Sequence, residues 1–164
     1  MDFVEVIKTR RSVRKFKDKN VSDKLIEEII DAGRLAPSGN NLQPVEFIVI
    51  KDKNKRKEIA GLATYGSFIE DAPVCIAVCS KKTEHDVEDG SAATENILLA
   101  AHALGLASCW VAGYKKDYSS DIEDLLEMPE EYVLISLLPI GYPIGEPGMP
   151  RKRSLQEVMH KEKF

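Results

Sequence analysis

Arg10-Arg11-Ser12-Val13-Arg14 is the densest grouping of chemically useful side chains in the sequence. Each arginine offers a planar fork of donors that matches the oxygens of a phosphate, and Ser12 adds a hydroxyl. A solvated cationic arm would read the same way. A second basic cluster, Arg151-Lys152-Arg153, lies near the other end. The phosphate reading gains if the two ends meet in space. The chain carries a net charge of −4, with 23 Lys and Arg against 27 Asp and Glu. Lys8, Lys15, Lys17 and Lys19 add to the basic start, while the middle is acidic, notably from Asp121 to Glu131. Basic ends on an acidic protein suggest a local anion site rather than a polyanion-binding surface.

A second grouping is the polar loop Ala36-Pro37-Ser38-Gly39-Asn40-Asn41-Leu42-Gln43-Pro44. Its amides and hydroxyls donate and accept at once. The edge of a flavin ring, with carbonyl acceptors and one imide N–H, needs that mixture. A helix-ending turn favours the same residues, so the loop alone decides nothing.

Other chemistries lack their residues. There is no Gly-x-Gly-x-x-Gly, no phosphate-binding P-loop and no His-Glu-x-x-His. His85, His102 and His160 are far apart, and His102 sits in an Ala-rich helical stretch, where packing or a hydrogen bond is the expected role. Cys75, Cys79 and Cys109 lie in apolar runs and are expected to be buried free thiols. No metal site is expected. Asp86, Glu88 and Asp89 read as a solvated polar turn. A charged N-terminus and unpaired cysteines suggest a reducing, cytoplasmic setting. No apolar run approaches the roughly 20 residues of a membrane span.

The elements that must position these groups follow from pattern. Asp2-Phe3-Val4-Glu5 predicts a helix to about Thr9, and Ser22 caps a second, ended by Pro37. Strands are expected at 47–50, 74–78, 106–112 and 132–140, and helices at 53–62, 91–104 and 154–159. The helix from Ser91 to Leu104 is apolar on almost every face, so a partner subunit is expected to cover one side. One domain, residues 1–164, accommodates the chain. The irregular order of helices and strands favours α+β over a doubly wound fold.

In four segments the chain resembles the small nitroreductase-like flavoproteins. These are Arg10 to Phe16, Ala36 to Pro44, Asn96 to Leu106 with Ser108-Cys109-Trp110, and Gly141-Tyr142-Pro143 with the basic cluster and Ser154 to Val158. Together, in this order and spacing, they are specific.

The resemblance implies a central mixed β-sheet flanked by helices and an intertwined homodimer, with FMN at the interface. It implies that Arg10, Arg11 and Ser12 hold phosphate and ribitol, helped by Arg151, Lys152 or Arg153. Arg14 would approach the N1 and O2 side of the ring. Pro37, Ser38, Asn41 and Gln43 would come from the opposite subunit. Ala112 and Gly113 would lie beside the ring, with the Gly113 N–H toward flavin N5. NADH or NADPH would deliver hydride to N5, and a nitroaromatic, quinone or similar acceptor would follow in ping-pong order, with no catalytic side chain required. Val45 stands where the family often has an aromatic residue. The short stretch from Gly113 to Tyr132 leaves little room for a lid, which implies an open pocket. A flavin carrier with little reductase activity is the alternative. Nucleic-acid binding is disfavoured by the net acidic charge and by few aromatics near the arginines.

Overall fold

The structure, a computed structural model, describes residues 2–164. Ten elements follow one another as α1 (Phe3–Thr9), α2 (Asp23–Arg34), β1 (Val45–Ile50), α3 (Lys53–Leu62), β2 (Val74–Lys81), α4 (Asp86–Ala103), β3 (Ala107–Ser108), β4 (Val111–Ala112), α5 (Ser119–Leu125) and β5 (Tyr132–Gly141). Helix starts are fixed locally. Asp2, Ser22 and Asp52 accept hydrogen bonds from the N–H groups of Val4, Leu25 and Lys55, which satisfies donors the helix cannot.

The sheet runs β1-β2-β5-β3, and β4 also pairs with β5. Every strand pair is antiparallel; the parallel component expected of a mixed sheet is limited to the Ser12–Ser108 bridge. Both faces are covered. Ile76, Val78, Leu138 and Ile140 pack with Ile26, Ile29, Ile97 and Leu98 of α2 and α4. Cys75, Ala77, Leu134 and Leu137 pack on the other side with Ile59 and Ile122 of α3 and α5. That is why β2 and β5 read as unbroken apolar runs. The three cysteines are free and buried, as expected.

The expected strand from Leu106 to Ala112 is broken, and Pro139 explains the break. β3 and β4 keep one register against β5, which places Cys109 opposite Pro139. The residues of β5 that bond toward this edge recur at every second position from Ile135, which accepts from the Gly113 N–H at 3.0 Å. Pro139 is one of them and has no N–H to give. Three further differences follow from packing. Helix α4 starts at Asp86, five residues before the expected point, and α5 (Ser119–Leu125) overlaps the start of the acidic stretch. The expected terminal helix is only a 3₁₀ turn, Leu155–Glu157. Residues 144–164 are all exposed, so an isolated short helix has nothing to stabilise it.

Candidate functional site

The basic segment leaves α1 at Arg10 and runs extended along the sheet edge. Val13 donates to the Ser108 carbonyl at 2.9 Å, and Val13 and Phe16 are buried against Ala72 and Ala107. Alternation then turns Ser12 and Arg14 outward. Further on, Lys17 donates to Tyr142 and Ile144 donates to Lys15, so the chain leaving β5 returns beside the arginines. The result is a groove of about 1110 Å³ lined by Arg10, Arg11, Ser12, Arg14 and, from the far end, Lys152. The two basic ends do meet. Arg151 and Arg153 are exposed and do not line it.

The donors differ in how far they are committed. Arg10 lies 3.6 Å from Glu95 of α4, a half-exposed pair that salt weakens. Arg11 donates through Nη1 to the carbonyls of Lys8 and Arg10, at 2.8 and 2.6 Å. Its Nε is buried without a partner among the described residues. Behind them, Thr9 gives its hydroxyl proton to the Glu5 carbonyl at 2.6 Å, so its contact with His102 Nε2 at 2.8 Å is donated by the imidazole. Burial, with Arg10 and Arg11 next, holds the His102 pKa below its ordinary value. The expected hydrogen-bonding role for His102 is observed.

Arg14 also lines a second groove, of about 940 Å³, with Thr64, Tyr65, Ser67, Phe68, Trp110, Ala112, Lys115 and Tyr118. The Arg14 guanidinium is 5.7 Å from the Phe68 ring centroid, within cation–π range. Cys109 lies in this wall, its thiol pKa raised by burial despite Arg14 and Ser12. The sequence reading missed the wall from Thr64 to Phe68. Its residues are those of an ordinary polar turn, and the Gly66 within it is the only punctuation.

The expectation for Gly113 is corrected. Its N–H is held by Ile135, so it is not turned to the groove. Its lack of a side chain has another cause: a Cβ would lie 2.6 Å from Leu134 Cγ. By strand alternation the peptide groups that face away from β5 are those of Ala112. Its carbonyl accepts the Tyr118 hydroxyl at 2.5 Å, and its N–H shares that groove-facing edge.

The loop after α2 is built from strained residues. Asn40, Asn41 and Gln43 have φ of 51°, 55° and 50°. Ser38 Oγ accepts from the Gln43 N–H at 2.9 Å, and the Gln43 side chain reaches the Asn41 carbonyl at 3.4 Å. Pro37, Ser38, Asn41 and Gln43 do not line either groove of their own chain. The neighbouring acidic stretch is not the solvated turn expected. Asp86, Glu88 and Asp89 form the first turn of α4, where negative charge suits the helix dipole, and Asp89 is only 5% exposed.

The sequence pattern of the Nitroreductase family matches residues 7–66 and 62–142. A relative from Methanothermobacter thermautotrophicus is 40% identical over 154 residues, covering 90% of this chain and 81% of its own; its provisional name is NADH dehydrogenase/NAD(P)H nitroreductase. The FMN reductase [NAD(P)H] of Bacillus subtilis is 28% identical and covers 98% of this chain, which spans 74% of that longer protein. Among solved structures, an FMN-dependent nitroreductase from Clostridium difficile superposes with a TM-score of 0.91 at 32% identity, over 98% of this chain and 99% of that one. With its sheet order, arginine groove and these likenesses together, the chain belongs to the nitroreductase family.

Proposed function

We propose that this chain is an FMN-dependent NAD(P)H oxidoreductase that reduces small acceptors such as nitroaromatics and quinones. The carrying observation is that Arg10, Arg11, Ser12, Arg14 and Lys152 converge on one groove that continues, through Arg14, into an aromatic-walled one. A phosphomonoester dianion fits this donor set, and the partnerless Arg11 Nε is a donor awaiting such an acceptor. The names of the relatives agree with this reading.

In this reading Arg10, Arg11 and Lys152 hold the phosphate, and Ser12 bonds the ribityl chain. Arg14 is a fixed cation at the junction of the two grooves and favours negative charge building on the ring. The groove-facing N–H of Ala112 replaces Gly113 as the backbone donor beside the ring. When bound, FMN supplies the redox chemistry, passing a hydride equivalent from NADH or NADPH to the acceptor in ping-pong order. No protein nucleophile is needed.

A homodimer completes the site. Phe3, Val6, Leu35, Leu99, Ala100 and Ala103 line a shallow apolar groove of about 470 Å³, and Phe3 and Leu35 are exposed beside it. Covering this face with a second subunit brings Ser38, Asn41 and Gln43 to the neighbour's flavin. A cytoplasmic location accords with three free, buried thiols. Among the described residues no helix is long and apolar enough to cross a membrane.

The test is direct. The purified protein is expected to be yellow, to release FMN rather than FAD on denaturation, and to oxidise NADH or NADPH when a quinone or nitroarene is added. Colourless protein that does not take up FMN would refute the proposal. FMN binding without acceptor-dependent oxidation would make the chain a carrier instead.

A further inference from the structure

We propose that Asp89 is a positioning residue for the cofactor site. Its buried carboxylate holds the Ser38–Gln43 loop in the strained form that meets the neighbouring subunit's flavin. This inference rests on the FMN-binding, shared-site reading above.

Asp89 sits in the first turn of α4, away from both grooves, and is 5% exposed. Its Oδ1 accepts the Gly39 N–H at 2.9 Å, while Oδ2 is buried without a partner among the described residues. A carboxylate so deeply placed with one donor costs more than an apolar side chain would. The positive end of the α4 dipole favours the charge but supplies no partner for Oδ2. The loop it grips does need an external hold. Asn40, Asn41 and Gln43 are all left-handed, a conformation that costs a non-glycine residue free energy unless the surroundings impose it. Inside the loop the bonds are local: Asn41 donates to the Ser38 carbonyl, Leu42 to the Gly39 carbonyl, and Gln43 to Ser38 Oγ and the Asn41 carbonyl, and none of these ties the loop to the rest of the fold.

The rest comes from α4. His85, at its N-cap, presses on the same glycine: a Cβ on Gly39 would lie 2.5 Å from His85 Cδ2. His85 and Asp89 are one helical turn apart, so the two clasp Gly39 from one helix face. This fixes the entry to the loop, and the exposed Asn41, Leu42 and Gln43 project from a rigid base. The loop is pre-organised for a ligand its own chain does not bring to it. Pre-organisation of this kind is expressed as affinity.

The experiment strips the purified protein of FMN and titrates it with FMN, following flavin absorbance and fluorescence. Asp89→Ala should weaken binding about tenfold, the scale of one lost charge-assisted hydrogen bond. Asp89→Asn keeps an acceptor for Gly39 and should bind within about threefold of the parent. A merely structural role predicts no such rescue at equal thermal stability. If Asp89→Ala does not fold, Gly39→Ala tests the same clasp by steric pressure alone. It should weaken FMN binding, and Gly39→Ala combined with His85→Ala should restore it. Parent-like affinity in Asp89→Ala, failure of Asn to rescue, or parent-like affinity in Gly39→Ala would each overturn the positioning role. Parent protein that takes up no FMN would instead overturn the flavin reading.

Discussion

Tyr118 gives its hydroxyl proton to the carbonyl of Ala112 at 2.5 Å, and the adjacent Ser119 hydroxyl donates to the carbonyl of Gly113. Two neighbouring side chains at the start of α5 thus fasten the strand that walls the second groove. The Tyr118 ring lines that groove as well, and burial raises its phenol pKa, which keeps it a donor. Tyr118→Phe should destabilise the fold by about 0.5–1.5 kcal/mol, the net value of one such bond. Urea denaturation of the FMN-free protein measures this. An unchanged midpoint would mean that the strand is held without the phenol.

Gly113→Ala separates the observed role of that glycine from the one expected of it. A Cβ there meets Leu134 Cγ at 2.6 Å inside the sheet layer, so the substitution overpacks the core. A loss of about 1–3 kcal/mol in the FMN-free protein is expected. Full stability with loss of FMN alone would return the residue to the flavin side.

The C-terminal basic cluster gives a sharper choice. Lys152 lines the arginine groove, while Arg151 and Arg153 do not. Lys152→Ala should weaken FMN binding by about 1 kcal/mol or more, and Arg151→Ala and Arg153→Ala should leave it near the parent value. Arg10→Ala should cost about 1–3 kcal/mol of FMN affinity with fold retained. Fluorescence titration compares all four. Equal losses at the three C-terminal positions would point to a diffuse field rather than a built site.

His102 gives the fold an acid-side sensitivity. Its folded pKa lies below the ordinary value of 6.5, first because burial penalises the cation and then because Arg10 and Arg11 repel it. The folded state therefore binds fewer protons than the unfolded one in this range. Stability from the neutral ring is full above the unfolded value and is lost as pH falls from about 6.5 through the lowered folded value. His102→Gln should flatten that acid-side decline in thermal melts of the FMN-free protein. An identical pH profile in the variant would refute the assignment.

Much of this was legible in sequence because it is local. Asp2 and Ser22 announce helix starts, and the apolar runs at 74–78 and 132–140 announce strands. What escaped was long-range. Nothing near Asp89 reveals that Gly39, fifty positions away, will claim its carboxylate. Nothing near Gly113 shows that Leu134 will crowd it, or that Pro139 will interrupt the strand opposite. The arginines were visible, but the turn from Thr64 to Phe68 that faces Arg14 was not, because only the fold places them together. Lys152 could be singled out from its neighbours only after the chain was seen to return along Lys15 and Lys17.

The dimer prediction is best tested at Ala100. Alanine-rich α4 shows two kinds of alanine. Ala93 and Ala101 are buried within the chain, Ala101 at 0% exposure, so glutamate there would simply break the core. Ala100 lies half-buried on the shallow apolar groove, with Leu99 and Ala103 beside it and exposed Phe3 and Leu35 near by. Small side chains on this face allow a second helix to approach to the near end of the usual 8–10 Å separation. Obligate interfaces often bury more than about 2,000 Å² and resemble a divided core. A glutamate in the centre of such a face leaves an unpaired charge buried on association. Ala100→Glu should therefore give folded monomers, or aggregates formed through the exposed patch, by light scattering. Since Ser38, Asn41 and Gln43 do not reach the grooves of their own chain, those monomers hold only the arginine half of the site. FMN absorbance should fall together with the dimer across a dilution series. A folded Ala100→Glu monomer that keeps FMN at parental affinity would mean that one chain binds the cofactor alone, and the shared site would be wrong.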